Sequence, residues 1–141
     1  MKELIKKLTD IYGPSGYEHT VRDFIQAEIA DAVDSLTIDA MGNLHAVKQG
    51  HGNGKTIMLA AHMDEIGLMV TEVEKEGFLR FTNLGGLVPN NLISARVIFE
   101  NGTIGMIDID WDERRGAPNM DKMYIDVGVS SKEDSPVGVG D

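Results

Sequence analysis

An apolar run that ends in a histidine and a carboxylate constrains this chain more than any other feature. Residues 56–61 read Thr-Ile-Met-Leu-Ala-Ala, and His62-Met63-Asp64-Glu65 follow directly. A short apolar run of this kind is typical of a buried strand. Successive side chains of an extended chain point to opposite faces, so His62 and Asp64 should share one face. The run therefore predicts a strand that places a histidine beside a carboxylate at its C-terminal end.

The pair of His62 and Asp64 suits a metal site. A metal-bound imidazole usually has its second ring nitrogen held by a carboxylate or a carbonyl oxygen. His62 could therefore bind the ion while Asp64 fixes the orientation of the ring. A histidine near a strand end is also common as an ordinary hydrogen-bonded residue, and the short pattern alone does not separate the two interpretations.

Composition narrows the class of protein. The chain has 141 residues, 42% of them hydrophobic, which allows one ordinary domain or two small ones. A net charge of −10 argues against nucleic acid or an anionic membrane as a partner. The absence of cysteine excludes disulfides and thiolate ligands, which leaves His, Asp and Glu as the strong metal ligands. The charged first residues lack an apolar signal core and no segment resembles a membrane span, so a cytoplasmic protein is expected.

The first half of the sequence predicts two helices and then short strands. Apolar residues repeat at helical spacing on either side of Gly13-Pro14-Ser15-Gly16. Ser15 and Glu18 have the spacing of a capping box, which predicts that Ser15 caps the second helix. Strands are expected at residues 36–39, 44–48 and 56–61.

The second half, from about residue 66, predicts a small β-barrel or sandwich. Its short β-type runs are separated by glycine-containing turns. Asn101-Gly102 lies between two such runs and predicts a type I′ hairpin. The predicted strands are residues 68–73, 78–82, 95–99, 103–109 and 123–127.

Two other motifs are weaker than they look. Residues 50–56 resemble a phosphate-binding loop, but Gln49 stands where the pattern needs glycine and a β-type run follows instead of a helix. Residues 108–112 resemble the start of an EF-hand loop, but the required later glycine and glutamate are missing. A plain hairpin loop, and an acidic surface loop balanced by Arg114 and Arg115, are the better interpretations.

The remaining candidate residues give little direction. His19, His45 and His51 have no carboxylate placed beside them by the pattern, so each is expected to be structural or exposed. A glycosidase needs two carboxylates across a cleft. The 23 acidic residues leave such a pair open, but 6% aromatic residues offer no platform for a sugar.

Several motifs in a fixed order resemble the dinuclear metallo-aminopeptidases. The similarity is greatest to the N-terminal part of the glutamyl/deblocking, or tetrahedral, aminopeptidase family, some of whose members carry cellulase or endoglucanase labels. The resemblance spans essentially the whole chain. The motifs are residues 13–18, 39–44, 60–67, 77–79, 85–86 and 124–128.

This resemblance implies an α/β fold in which residues 1–66 open the catalytic α/β domain. Residues 67–141 would form all or part of a PDZ-like β-barrel that mediates homo-oligomerisation. By matching position, His62 resembles a ligand of one of two divalent metal ions, usually zinc or cobalt. Asp64 resembles the catalytic-site carboxylate that steadies this histidine. The implied activity is removal of N-terminal residues from a peptide substrate.

The family pattern also implies that this chain is a catalytically incomplete N-terminal piece. Family members are longer, and their remaining metal ligands and general base follow the barrel. The chain alone is therefore expected to be inactive, to bind divalent metal weakly and to self-associate over an exposed strand edge. Two alternatives stay open. One is a non-catalytic interaction or oligomerisation module, and the other is an endoglucanase-type glycoside hydrolase.

Overall fold

The computed structural model describes residues 1–114 and 116–141, which divide into two units, Met1–Glu65 and Ile66–Asp141. Arg115, which the sequence assigns to the acidic loop, lies outside the described residues. The chain is mixed α/β, as predicted. Among the described residues, neither α-helix has the length and apolar character that crossing a bilayer requires.

The first unit contains two helices and a hairpin, and these predictions are confirmed. The helices are α1 (Lys2–Asp10) and α2 (His19–Ile29), and Val21 of α2 is buried. Strands β1 (Ser35–Ile38) and β2 (Leu44–Val47) pair in antiparallel register.

The third strand predicted in this unit, at residues 56–61, is wrong. The segment forms no strand, and Ile57, Met58 and Leu59 are 83%, 85% and 93% exposed. A strand is stable only when its backbone groups are paired and its apolar side chains are covered. No described strand pairs with these residues, so the apolar composition has nothing to pack against.

The second unit contains five strands: β3 (Gly67–Val73), β4 (Leu79–Leu84), β5 (Arg96–Ile98), β6 (Ile104–Ile109) and β7 (Met123–Asp126). They form an antiparallel sheet in the order β3-β4-β7-β6-β5. All five predicted strands are present. In the described part of the chain, β5 and β3 are the edge strands and do not pair with each other. A closed PDZ-like barrel therefore stays a prediction.

One face of this sheet carries the core of the second unit. Inward residues alternate along β6 and β7, as strand geometry requires. Gly105 belongs to this inward set because a Cβ there would lie 2.4 Å from Cγ2 of Ile125. The most buried side chains are Val70, Leu79, Ile107, Ile109, Met123 and Ile125.

The type I′ turn predicted at Asn101-Gly102 is wrong in its geometry, although the hairpin is present. The amide of Gly102 donates to the carbonyl of Phe99 at 2.9 Å, and Gly102 has a φ of +84°. A type I′ turn needs positive φ at both central residues, whereas Ser94 is the only described residue other than glycine with positive φ. Asn101 keeps an ordinary φ and uses its side chain to accept from the Thr103 amide and donate to the Pro136 carbonyl.

Candidate metal-ligand site

The structure brings His62 and Asp64 together. Nδ1 of His62 lies 3.0 Å from Oδ1 of Asp64 and 2.9 Å from the Asp64 carbonyl oxygen. Both neighbours accept hydrogen bonds, so the proton of the neutral ring belongs on Nδ1 and the lone pair is left on Nε2. The His62 side chain is 85% exposed. An imidazole held in this way presents Nε2 as a ligand.

Ser15 is a third member of this site, and the interpretation of Ser15 as a helix cap is wrong. Its Oγ donates to Oδ2 of Asp64 at 2.5 Å. Helix α2 has Glu18 at its N-cap position, without a side-chain capping bond. Gly16, at a φ of +94°, turns the chain between these residues, and its amide donates to Oε1 of Glu18. Glu18 thus accepts from the backbone amide of this turn, and the Ser15 hydroxyl donates to Asp64 instead of capping the helix.

Backbone contacts fix the Ser15 loop beside Asp64. The amide of Glu65 donates to the carbonyl of Gly13 at 3.0 Å, and Pro14 and Glu65 form a parallel bridge. A Cβ on Gly13 would lie 3.0 Å from a Val21 methyl carbon, so glycine lets the loop lie close against α2. The motif Gly13-Pro14-Ser15-Gly16 marked this loop in the sequence. The spacing of Ser15 and Glu18 predicted a helix cap, so the contact with Asp64 was missed.

The two hydrogen bonds to its side chain lower the pKa of the Asp64 carboxyl. The Ser15 hydroxyl makes the largest contribution and His62 the second. The Asp64 carboxyl is therefore an anion at neutral pH, with one oxygen turned to each partner. This arrangement suits a group that orients the imidazole.

The described residues fit one ligand position of a metal centre and do not complete one. No group of three His, Asp or Glu side chains that could hold an ion occurs in the described part of the chain. Catalytic zinc takes three protein ligands as a rule. The donor set that His62 and Asp64 offer is thus a single imidazole nitrogen with its orienting carboxylate.

His45 has a carboxylate partner, contrary to the sequence interpretation. Its Nε2 lies 3.1 Å from Oδ2 of Asp39 across the β1–β2 turn. Asp39 also accepts from the amides of Met41 and Asn43 and from the Asn43 side chain. These bonds, that of the Asn43 side chain first and that of His45 second, hold the pKa of Asp39 well below its usual range. Asp39 and His45 are six positions apart in the chain, and the hairpin brings their side chains together.

The motifs set aside in the sequence remain without a site. Residues 50–56 form an exposed loop with neither strand nor helix. Asp108 accepts from Arg114 at 2.6 Å, and Asp110 accepts from Arg80. Asp108, near the end of β6, and Asp110 are thus each paired with an arginine.

Comparison with known proteins gives a family match over most of the chain. Residues 42–140 match the family model described as M42 glutamyl aminopeptidase. A relative from Acetivibrio thermocellus, whose name assigns it to the aminopeptidases, is 45% identical over 145 residues, covering 100% of this chain and 43% of the relative. The lysyl aminopeptidase of Pyrococcus furiosus is 35% identical over 144 residues, covering 94% of this chain and 41% of that protein.

Solved structures share the fold. The Pyrococcus horikoshii TET1 peptidase, which can assemble into a tetrahedron or a large octahedral shell, has a TM-score of 0.83 at 35% identity, over 99% of this chain and 44% of that one. An endoglucanase from Thermotoga maritima has a TM-score of 0.85 at 37% identity, over 96% of this chain and 42% of that one. The chain spans less than half the length of each of these four proteins.

Proposed function

This chain belongs to the M42 glutamyl aminopeptidase family, and on that premise we propose that it carries one corner of the site of a metal-dependent aminopeptidase. The reaction is removal of N-terminal residues from peptides. The observation that carries the proposal is the 3.0 Å contact between His62 and Asp64, which lies within the matched region. An imidazole with Nδ1 held by a carboxylate is the usual form of a metal-binding histidine.

In this proposal His62 is a ligand of one of two divalent ions, zinc or cobalt, and Asp64 is the carboxylate that steadies it. Such ions, when bound, supply an activated water and polarise the peptide carbonyl. The described residues contribute one ligand, so the 141-residue chain alone is expected to be inactive and to bind metal weakly. In this proposal, Asp64 keeps the imidazole ring of His62 in one orientation and one tautomer.

We also propose that residues 67–141 act as a PDZ-like oligomerisation domain. The assembly of the TET1 peptidase supports this idea by analogy. Ile98 and Ile104, which pair across β5 and β6, are 65% and 59% exposed and offer apolar surface for a second copy. Light scattering that shows only monomer over a wide concentration range would argue against it. A cytoplasmic location stays a prediction.

A second candidate function is suggested by the name of the Thermotoga maritima endoglucanase. Glycoside hydrolysis needs one carboxyl group that gives a proton and a second that attacks or activates water. Asp64 already accepts from Ser15 and His62 on its two oxygens, so it is poorly placed for either task. The remaining alternative is a non-catalytic interaction or oligomerisation module in which His62 and Asp64 no longer bind metal. It predicts that added metal has no effect at His62.

A chimera tests the proposed function. This chain replaces the matching 41% of the Pyrococcus furiosus lysyl aminopeptidase. We expect the chimera to release the first residue from an unblocked peptide and to leave the N-acetylated peptide intact. His62→Ala should abolish this release, and Asp64→Asn should lower its rate. His51→Ala, in the exposed loop, is the matched control and should keep full activity.

The outcomes separate the candidates. Peptidase activity that survives His62→Ala would overturn the ligand assignment. A folded chimera that cleaves soluble glucan and spares peptides would favour the endoglucanase reading. Release of N-terminal residues by the 141-residue chain alone would refute its proposed incompleteness.

A further inference from the structure

We propose that Ser15 is a positioning residue: its hydroxyl fixes the Asp64 carboxylate so that Asp64 holds His62 with Nε2 open to a cation. This inference rests on the proposed function for the meaning of the open Nε2. The geometry itself is independent of any metal. It consists of one hydrogen bond on each carboxylate oxygen, at 2.5 Å from Ser15 and at 3.0 Å from His62.

The Ser15 bond matters because a carboxylate turns easily about its terminal torsion. The rotation of an aspartate carboxyl has a broad, two-fold profile, so packing alone holds it poorly. A hydrogen bond from a hydroxyl to an anion is short and about twice as strong as a neutral one. With Oδ2 taken by Ser15, Oδ1 stays directed at Nδ1 of His62.

A purely structural role for the hydroxyl, tying the loop to residues 64–65, is the competing explanation. The backbone already makes that connection through the bond from the Glu65 amide to the Gly13 carbonyl. The bridge between Pro14 and Glu65 reinforces it. The Ser15 hydroxyl therefore adds little to the attachment, and its effect falls on the carboxylate and on the histidine beyond it.

The test is ¹⁵N NMR of the imidazole nitrogens in the 141-residue chain without metal. At about pH 8.5 histidine is neutral, so the nitrogen shifts report the tautomer. The His62 signals are identified by their loss in His62→Gln. Ser15→Ala removes the hydroxyl, and Ser35→Ala is the matched control because Ser35 is an exposed serine of the same unit. A second pair, Ser15→Thr and Ser15→Val, has nearly the same shape and differs in the hydroxyl.

The wild-type chain and Ser35→Ala should hold His62 mainly as the Nδ1–H tautomer. Ser15→Ala should raise the ratio of the Nε2–H to the Nδ1–H tautomer by about threefold or more, since a hydrogen bond of about 1 kcal/mol changes an equilibrium several-fold. The Asp64 carbonyl still accepts from Nδ1, so the Nδ1–H form should not vanish. Ser15→Thr should resemble the wild type, and Ser15→Val should resemble Ser15→Ala.

An unchanged tautomer ratio in Ser15→Ala, with the backbone signals of Gly13 and Glu65 in place, would overturn the inference. If Ser15→Ala disturbs the loop, the Thr and Val variants decide. Equal ratios in these two would overturn it as well. The readout contains no metal and no peptide, so the inference can fail while the aminopeptidase proposal stands, and the reverse.

Discussion

The Ser15 hydroxyl lies 2.5 Å from a carboxylate oxygen of Asp64, although 49 positions separate the two residues in the chain. The other oxygen of Asp64 lies 3.0 Å from the ring of His62. A loop before helix α2 and the segment that follows residues 56–61 thus meet in one chain of hydrogen bonds. This connection ties together a unit in which Pro14 and Val21 are the buried apolar side chains.

Amide hydrogen exchange should show that residues 56–61 are unprotected in the monomeric chain. Their backbone has no ladder partner in the described part of the chain, and Ile57 to Leu59 are exposed. The amides of Leu79 and Ile125, which pair in the centre of the sheet, are the internal reference and should exchange slowly. Protection of residues 56–61 that rises with protein concentration would show that a second copy covers them. Protection in dilute monomer would contradict the structure.

Replacing Arg80 should destabilise the second unit. Its guanidinium donates to Glu74 at 2.7 Å, to Asp110 at 3.2 Å and to the Met123 carbonyl at 3.2 Å. Burial opposes the charge, but these two carboxylates prevail and raise the pKa of Arg80. Arg80→Ala leaves two carboxylates without a partner and should lower the free energy of unfolding by about 1–3 kcal/mol.

The measurement for Arg80 is urea unfolding followed by circular dichroism. Arg96→Ala, at an exposed position on β5, is the matched control and should change stability by less than about 0.5 kcal/mol. Equal stability of the two variants would mean that the ion pairs contribute nothing to the sheet.

Gly105→Ala should be destabilising although its backbone is ordinary. The new Cβ would lie 2.4 Å from the Ile125 side chain, a distance that forces β6 or β7 to shift. Overpacking of this kind costs about 1–3 kcal/mol. Gly86→Ala meets nothing within 4 Å and serves as the control in thermal unfolding. A Gly105→Ala chain as stable as Gly86→Ala would show that the sheet is less tightly packed than described.

The β1–β2 turn should resist acid. The pKa of Asp39 is lowered in the fold, so its stabilising contribution is complete above the ordinary aspartate value of about 3.9 and is lost only as pH falls through the lowered value. The NMR signals of the Met41 and Asn43 amides, which donate to Asp39, should therefore show no transition of the Asp39 carboxyl near pH 4. Asp39→Asn is the control without a charge. A midpoint near pH 4 would contradict the assigned hydrogen bonds.

Periodicity was sufficient to predict the helices, the first hairpin and all five strands of the sheet, and each of these strands finds a pairing partner within its own unit. It failed at residues 56–61, where apolar composition requires a partner that the described residues do not supply. The contact between His62 and Asp64 was predicted from the alternation of a strand that the structure lacks, although the two side chains do meet. The role of Ser15 was not predicted, because local spacing favours a helix cap and the contact depends on Gly16 and on the pairing of Gly13 with Glu65. The contact of His45 with Asp39 was also missed, because it depends on the pairing of β1 with β2 and not on a local sequence pattern.

A Co²⁺ titration of the 141-residue chain, followed by the ¹⁵N signals of its four histidines, tests the assignment of His62 as a metal ligand. We expect Nε2 of His62 to be affected first, His62→Gln to remove this response, and Asp64→Asn to weaken it by about tenfold or more. His51→Gln should leave the response unchanged. Co²⁺ that acts equally on all four histidines, or binding that persists in His62→Gln, would contradict the assignment of His62 as the metal ligand.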